Sequence, residues 1–185
     1  MEFLWVGGHP GVDLCNTTPV VDGEPVELLN APADLRGWLD VAITPDLLPR
    51  RCAPNQATLD WARRLRHALR AVLTADVDRS APLRRLNNLL GELTAVPAVG
   101  PNGALHLRAA DSQTTIRLAL AQLAVGACAL STERVRHCAN PRCVLIFYDT
   151  TKSGTRRWHD MATCGNQAKA AAHYTRLKQR QPGSV

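Results

Sequence analysis

The chain has 185 residues and a formal net charge of +6, and its 45% hydrophobic and 21% charged residues exclude a disordered chain. The charge is unevenly placed, because residues 1–133 carry a net charge of −2 whereas residues 134–185 carry +8. A mildly acidic body followed by a basic segment indicates an anionic partner for that segment, with nucleic acid as the first choice.

The N-terminal residues have no basic n-region and no long apolar run, which predicts a cytoplasmic protein without a signal peptide. The apolar stretch at residues 118–132 is too short and too polar to cross a bilayer, so no membrane partner is expected. Residues 1–30 mix short apolar runs with Gly, Pro and Asp-Gly, which predicts short strands or turns.

Three polar residues, His9, Asp13 and Asn16, interrupt these N-terminal apolar runs, and two interpretations of them stay open. One is a pocket in the body for a small-molecule effector. The other, which we favour, is a turn or helix cap formed by Asn16 and Thr17, because short polar side chains bond readily to nearby backbone groups.

Four helices are predicted after residue 30 from apolar residues at helical spacing. In chain order they cover about residues 35–43, 56–75, 82–94 and 112–130. A hairpin is expected between the last two, with its return strand at residues 105–108. The second helix has four arginines off its apolar stripe, which predicts a solvated face; they are Arg63, Arg64, Arg66 and Arg70. The fourth helix is apolar nearly all round and is expected to be the central core helix.

The fold class is therefore predicted as mainly α within an α+β whole: a helical body with short N-terminal strands and a hairpin, followed by a small ββα module. The boundary lies near residues 131–133, where the last apolar helix ends and the charge changes sign. We divide the chain into a body, residues 1–132, expected to sense a signal or to dimerise, and a basic module, residues 133–185.

Three of the six cysteines fall inside the basic module, and their spacing indicates a metal site. Cys138 and Cys143 flank a four-residue turn that contains Asn-Pro and joins two short β runs, so their thiolates are expected side by side. His159 and Cys164 follow with the same separation, which completes C-x4-C-x15-H-x4-C. Such a set predicts one structural Zn²⁺ in a closed tetrahedral site, and a module of this size needs a metal or another staple to fold.

Two other histidines compete with His159 for the place of the fourth ligand. His137 adjoins Cys138, and neighbours on a strand point to opposite faces. His173 lies about two turns into the last helix, far from Cys164. We favour His159, and three thiols without a metal remain the alternative for the whole site.

The run from Arg156 to Arg176 is similar to the CGNR zinc-finger family, in which a Cys pair, Phe-x-Asp, Arg-Arg-Trp-Cys and Cys-Gly-Asn-Arg precede a basic Ala-rich helix. The matching residues are Cys138, Cys143, Phe147, Asp149, Arg156, Arg157, Trp158, Cys164, Gly165 and Asn166. His159 stands where the family usually has Cys, and both are competent zinc ligands. Gln167 stands where the family has Arg, which removes a charge.

The start of the body resembles the opening motif of the ABATE domain, which usually precedes this finger. Gly8-His9-Pro10 followed by residues 12–17 carries that resemblance. The two resemblances together cover nearly the whole chain. They imply a stress-responsive transcriptional regulator, mostly of bacterial occurrence, and therefore a protein that binds DNA.

Basic residues of the module form a predicted nucleic-acid surface. The last helix, about residues 165–179, is expected to carry one stripe, which consists of Lys169, His173, Arg176 and Arg180. Charge is added by Arg142, Lys152, Arg156 and Arg157. The candidate base readers are Arg156, Asn166, Gln167 and Lys169. A neighbouring stripe of the same helix is expected to pack on the Cys knuckle. This stripe is formed by Ala170, Tyr174 and Leu177.

Structural roles compete with these binding roles. The basic stripe has a solvated face as its alternative. Arg156 has the alternatives of packing on Trp158 or pairing with Asp149. Asn166 could instead cap the helix or hold a zinc thiolate through its amide, and we favour a structural role for it.

Three classes of function were compared. A DNA-binding regulator is favoured, an RNA- or protein-binding zinc-finger adaptor is the alternative, and a homodimer is expected if the DNA target is a palindrome. Enzymatic activity is not expected and no catalytic residue is predicted, because the chain has no deaminase H-x-E with P-C-x-x-C, no Gly-rich phosphate loop and no G-x-S-x-G elbow.

Overall fold

The computed structural model describes residues 2–43, 48, 52–100 and 102–180, except the side chains of residues 106, 175 and 177–180. The helices are α1 (Pro10–Cys15), α2 (Pro32–Ala42), α3 (Gln56–Leu73), α4 (Ser80–Leu90), α5 (Ser112–Cys128) and α6 (Asn166–Arg180). The strands are β1 (Val20–Val21), β2 (Glu24–Pro25), β3 (Ala95–Val99), β4 (Leu105–Ala109), β5 (Val135–His137) and β6 (Ile146–Tyr148). The strands pair in sequence order as three separate antiparallel ribbons, which confirms the predicted mainly helical α+β fold.

The N-terminal segment contains a short helix, α1, where only strands or turns are expected. Pro10 is suited to the first helical turn because it needs no backbone donor there. His9 caps the helix, since its Nδ1 accepts a hydrogen bond of 3.0 Å from the Gly11 amide. The predicted Asp-Gly turn is present between β1 and β2, with positive φ values of 51° at Asp22 and 91° at Gly23.

The longer helices begin at capping residues. Asn55 accepts from the Thr58 amide at the start of α3, and Asp111 accepts from the Thr114 amide at the start of α5, each at 2.9 Å. Asp34 lies inside the first turn of α2 and accepts from the Ala31 amide at 2.8 Å.

The central helix of the body is α3, so the expectation that α5 fills this place is wrong. Helix α3 contacts α1, α2, α4 and α5, and its predicted apolar stripe is fully buried. Helix α5 leaves Val125 56% exposed and buries mainly alanines toward its neighbours. These small residues allow close packing: a Cβ at Gly11 of α1 would lie 2.5 Å from the Leu123 carbonyl oxygen of α5. The apolar residues on every face of α5 therefore reflect its close packing against neighbouring helices and not a position at the centre of the core.

The arginines of α3 bind to surrounding loops, so the prediction of a solvated face holds for Arg64 and is wrong for the other three. Arg66 is 2% exposed, and its guanidinium donates to both carboxylate oxygens of Glu27 at 2.7 and 2.6 Å. Arg63 donates to the Leu29 carbonyl at 2.6 Å. Arg64 keeps an exposed position and forms a bidentate pair with Glu92. A run of charge on one helix face is thus used to hold the N-terminal loops against α3.

The basic module packs on the body through β6. Ile146 of β6 is fully buried and belongs to the main core cluster. The Asn16 side chain holds its backbone, donating to the Ile146 carbonyl at 2.8 Å and accepting from the Ile146 amide at 3.0 Å. The Tyr148 amide donates to the Gly7 carbonyl at 2.7 Å. Gly8 follows with φ of 73°, and a Cβ there would lie 2.8 Å from the Tyr148 carbonyl oxygen, so this position requires glycine.

Candidate metal centre

The first two cysteines lie at the tip of the β5–β6 hairpin. The Cys138 amide donates to the Leu145 carbonyl at 3.0 Å, which closes the hairpin just beyond its paired strands. The Cys143 amide donates to the Asn140 carbonyl at 2.9 Å and forms the tight turn between the cysteines. Backbone geometry set by the Asn-Pro turn therefore brings the two thiols to one side of the knuckle.

The second pair of ligands is positioned by a short π-helical turn, Met161–Gly165. Asp160 caps this turn by accepting from the Ala162 amide at 3.0 Å. The Met161 side chain packs against Gly165, so any larger residue at position 165 would require that side chain to move. The turn brings Cys164 back toward His159, and both side chains are buried.

The four predicted ligands converge. One donor atom from each of Cys138, Cys143, His159 and Cys164 lies within 4.8 Å of every other. The shortest separation recorded is 3.5 Å between Cys143 Sγ and His159 Nδ1. Zinc–sulfur and zinc–nitrogen bonds of about 2.0–2.3 Å place tetrahedral donors about 3.5–3.8 Å apart, so the cluster fits one structural zinc ion with small adjustments.

The chemistry of the donor set agrees with this geometry. Burial lowers the pKa of His159, which keeps its imidazole neutral and able to bind a metal. Burial raises the pKa of the Cys143 thiol to about 12, and it also raises the pKa of Cys164. The metal-free thiols therefore hold their protons, and zinc binding has to displace them to form thiolates. The other two candidate histidines, His137 and His173, are exposed and outside this cluster.

One residue that the sequence analysis assigned only to the turn, Asn140, supports the ligands directly. Its Nδ2 lies 3.2 Å from Cys164 Sγ and 3.0 Å from Gln167 Oε1, and the side chain is buried. An amide that donates to a zinc thiolate orients it and offsets its charge. In the sequence, this role of Asn140 is indicated only by its polar side chain between the two cysteines, next to a proline.

The Phe-x-Asp and Arg-Arg-Trp motifs form a structural unit beside the metal centre. Asp149 is buried and accepts from the Thr151 hydroxyl at 2.6 Å and from the Arg156 amide at 2.8 Å. These bonds, the Thr151 hydroxyl bond above all, lower the pKa of the Asp149 carboxyl. The Arg156 guanidinium lies 4.9 Å from the Phe147 ring centre, and its Nε donates to the Trp158 carbonyl at 2.8 Å.

The predicted nucleic-acid residues are divided between internal contacts and free surface. Arg156 makes the contacts given above, Asn166 donates from its side chain to the Ala162 carbonyl at 3.1 Å, and Gln167 accepts from Asn140. The thiolate contact considered for Asn166 is therefore made by Asn140. The exposed members of the set are Arg142, Lys152, Arg157, Asn166, Gln167, Lys169, His173 and Arg176. The Arg180 side chain lies outside the described part of the chain.

Helix α6 extends away from the knuckle, which overturns the expected packing of its second stripe. Ala170 is exposed and Tyr174 is 68% exposed, while the Leu177 side chain lies outside the described part. Only the π-helical turn at its start makes extensive contact with α6 among the described elements. Alanine and tyrosine at helical spacing form an apolar face, but nothing in the short knuckle reaches it.

The three N-terminal polar residues lie where the body meets the module. His9 is the N-cap of α1, and Asn16 is its C-cap as well as the partner of Ile146. Asp13 accepts from the Gly7 amide at 2.6 Å, and burial raises its pKa to about 6. Each side chain thus has a structural contact, but the Asn16 side chain bonds the distant Ile146 instead of nearby backbone groups, and Asn16 occupies the C-cap position through its backbone alone.

Three thiols and one imidazole on a Cys knuckle define a structural zinc finger. The family model described as "CGNR zinc finger" matches residues 134–177. The ABATE model, described as "Putative stress-induced transcription regulator", matches residues 8–134. The chain therefore belongs to the ABATE family and carries a CGNR zinc finger at its C-terminal side. No match to the chain was found among curated proteins. Across the described residues, no helix is long and apolar enough to cross a membrane.

Proposed function

We propose that this protein is a DNA-binding transcriptional regulator without catalytic activity, whose zinc-stabilised module presents α6 to duplex DNA. The family match supports regulation, and the basic module supports an anionic partner. A set of four protein ligands leaves no open position on the metal for a substrate or an attacking water, which supports a structural role for the zinc.

The exposure of α6 is the observation that carries the proposal. From Met161 to Arg180 the sequence has no acidic residue, and the helix carries Lys169 and Arg176 on exposed positions. Three consecutive alanines, at 170–172, keep the helix narrow where it would approach a groove. A basic helix of this length is marginal on its own in water, so binding to an anionic surface would stabilise it.

Further cations approach the same partner from other segments. Arg142 lies on the knuckle, Lys152 on the following loop and Arg157 beside Trp158, with its guanidinium 5.1 Å from the ring centre. All three side chains are exposed. Because they come from separate segments, they can contact phosphates on both sides of a groove occupied by α6.

The test is fluorescence anisotropy of zinc-loaded full-length protein with duplexes obtained by selection from genomic DNA. The double variant Lys169→Gln/Arg176→Gln should bind at least about ten-fold more weakly at moderate salt, because two phosphate contacts are lost. The matched control is Arg84→Gln/Arg85→Gln, which removes the same charge from exposed positions of α4 and should leave affinity unchanged. Equal effects of the two variants would contradict a binding role for α6.

Competition separates the proposal from an RNA-binding adaptor. Duplex DNA of the selected sequence should displace the labelled duplex at lower concentration than single-stranded or hairpin RNA of equal length. Preference for RNA would assign the module to the alternative function. The stoichiometry of the complex on a palindromic duplex tests the homodimer, which predicts two chains per site.

A further inference from the structure

A cavity of about 400 Å³ lies at the junction between the body and the zinc module. Its body side is formed by the end of α3 and the connection to α4, and its module side by β5 and the turn before it. The lining residues that bear on a ligand are Leu73, Asp76, Arg79, Glu133, Arg136 and Ile146. It is separate from the metal centre and from the exposed face of α6.

Two arginines in the cavity wall lack partners for buried donors. The Nε atoms of Arg79 and Arg136 are both shielded from solvent, and neither has a hydrogen-bond partner among the described residues. Neither guanidinium has a carboxylate within 4.0 Å in the same part of the chain. Because neither arginine forms an ion pair within the described residues, an anion that enters the cavity would give both guanidiniums a charged partner.

We propose that this cavity binds a small organic monoanion whose carboxylate lies between Arg79 of the body and Arg136 of the module. Guanidinium groups present paired donors that match the two oxygens of a carboxylate. Leu73, Val135 and Ile146 supply an apolar wall for the rest of the ligand.

The acidic residues of the lining restrict the ligand further. Asp76 and Glu133 are both exposed and lie on the same cavity as the two arginines. Their charges disfavour a polyanion such as a nucleic-acid backbone, whereas one carboxylate with an apolar body remains compatible. The cavity thus differs in charge from the surface proposed for DNA.

The position of the two arginines links the ligand to the module. Arg79 is the residue that precedes α4, and Arg136 lies on β5. Arg136 also donates from Nη2 to the Gly154 carbonyl at 2.7 Å, in the loop that carries Lys152. A carboxylate bound by both arginines would therefore stabilise the docked arrangement of body and module, and it would act on a residue bonded to the Lys152 loop.

The test is a titration of zinc-loaded full-length protein with benzoate and hexanoate, followed by calorimetry and by the arginine ¹⁵Nε–¹H resonances. At least one carboxylate should bind and shift the Arg79 and Arg136 resonances, and benzamide, the neutral analogue of benzoate, should bind at least about ten-fold more weakly. Binding does not require DNA, so its failure would leave the proposed function untouched.

Arg79→Gln provides the variant test, because the Arg79 side chain forms no hydrogen bond within the described part of the chain, and the bond that its backbone carbonyl accepts from the Leu83 amide is unaffected. It should weaken carboxylate binding about ten-fold or more, which is the usual effect of losing a charge-assisted bond. Arg85→Gln removes the same charge from an exposed position of α4 and should change affinity by less than about two-fold. No binding of any probe up to about 10 mM, or equal effects of the two variants, would overturn the proposal.

Discussion

The Asn140 amide nitrogen lies 3.2 Å from Cys164 Sγ, so a buried polar side chain outside the ligand set contacts the metal centre. The same nitrogen lies 3.0 Å from Gln167 Oε1 on the first turn of α6. The zinc site and the proposed recognition helix therefore share one hydrogen-bonding residue. A substitution that alters the zinc site should therefore also affect the start of α6, and a substitution at Gln167 should affect the zinc site.

Removing the Asn140 side-chain amide should lower the affinity of the site for zinc. Asn140→Ala leaves the Cys164 sulfur without its side-chain donor, and loss of such a partner typically reduces metal affinity about 10–100-fold. Zinc transfer to a chromophoric chelator measures this loss. Asn88→Ala, on an exposed position of α4, is the matched control and should transfer zinc like the parent. An unchanged affinity in Asn140→Ala would show that the contact does not support the site.

Restoring the family residue at position 167 should separate charge from hydrogen bonding. Gln167→Arg adds a cation to α6, so the slope of log affinity for DNA against log salt should steepen by about one. Arginine has no acceptor for the Asn140 amide, so zinc transfer should become slightly easier. Gln167→Met is the control, because it removes the acceptor without adding charge. If Gln167→Met strengthens DNA binding as much as Gln167→Arg, charge is not the cause.

The buried Asp13 carboxyl should make stability depend on pH. Burial raises its pKa from 3.8 to about 6, so between these values the folded chain keeps a proton that the unfolded chain has released. Its contribution to stability is present below pH 3.8 and is lost as the pH rises through about 6. Asp13→Asn keeps the oxygen that accepts from Gly7 and removes this loss. It should therefore be more stable than the parent by about 1–2 kcal/mol above pH 7.

The measurement for Asp13 is denaturant unfolding of zinc-loaded protein at two pH values. The advantage of Asp13→Asn should shrink at about pH 5 relative to about pH 8. Asp60→Asn, at an exposed position of α3, should show no such trend. An Asp13→Asn variant that is less stable than the parent by the same amount at both pH values would contradict the expected cost of the buried charge.

The Arg66–Glu27 pair should be the most sensitive of the α3 arginine contacts. Arg66→Met removes the guanidinium donor of Thr17 and Glu27, so that among the described residues Glu27 keeps only the Leu29 amide as a close donor, and the expected loss in free energy of unfolding is about 2–3 kcal/mol. The figure is reduced because the Glu27 side chain is 27% exposed. Arg64→Met breaks the exposed pair with Glu92 and should cost less than about 1 kcal/mol. Equal losses in the two variants would show that burial does not decide the strength of these pairs.

The features that could be predicted from the sequence depend on local rules. Cys138, Cys143, His159 and Cys164 were predicted from their spacing and from the small size of the module, because tetrahedral zinc requires four ligands and a short module needs a metal or another staple to fold. The helix at residues 112–130 was predicted from its apolar residues at helical spacing, and α5 occupies Ser112–Cys128.

The features that were missed depend on partners distant in sequence. The burial of Arg66 requires Glu27, 39 positions earlier, and the role of Asn16 requires Ile146, 130 positions later. Composition gives no indication of such pairings. The Tyr174 face of α6 was misassigned for the opposite reason: its spacing predicts an apolar face correctly, but whether a partner covers it depends on the size of the knuckle.

The central claim is that exposed cations of the zinc module bind DNA, and the salt dependence of affinity tests it most directly. Exposed cations in the described part of the module number five: Arg142, Lys152, Arg157, Lys169 and Arg176. If most of them contact phosphates, log affinity against log salt should fall with a slope of about −3 to −5, and Lys169→Gln/Arg176→Gln should reduce that slope by about two. No binding of the zinc-loaded chain at about 50 mM salt, or a slope that this double variant leaves unchanged, would contradict the claim.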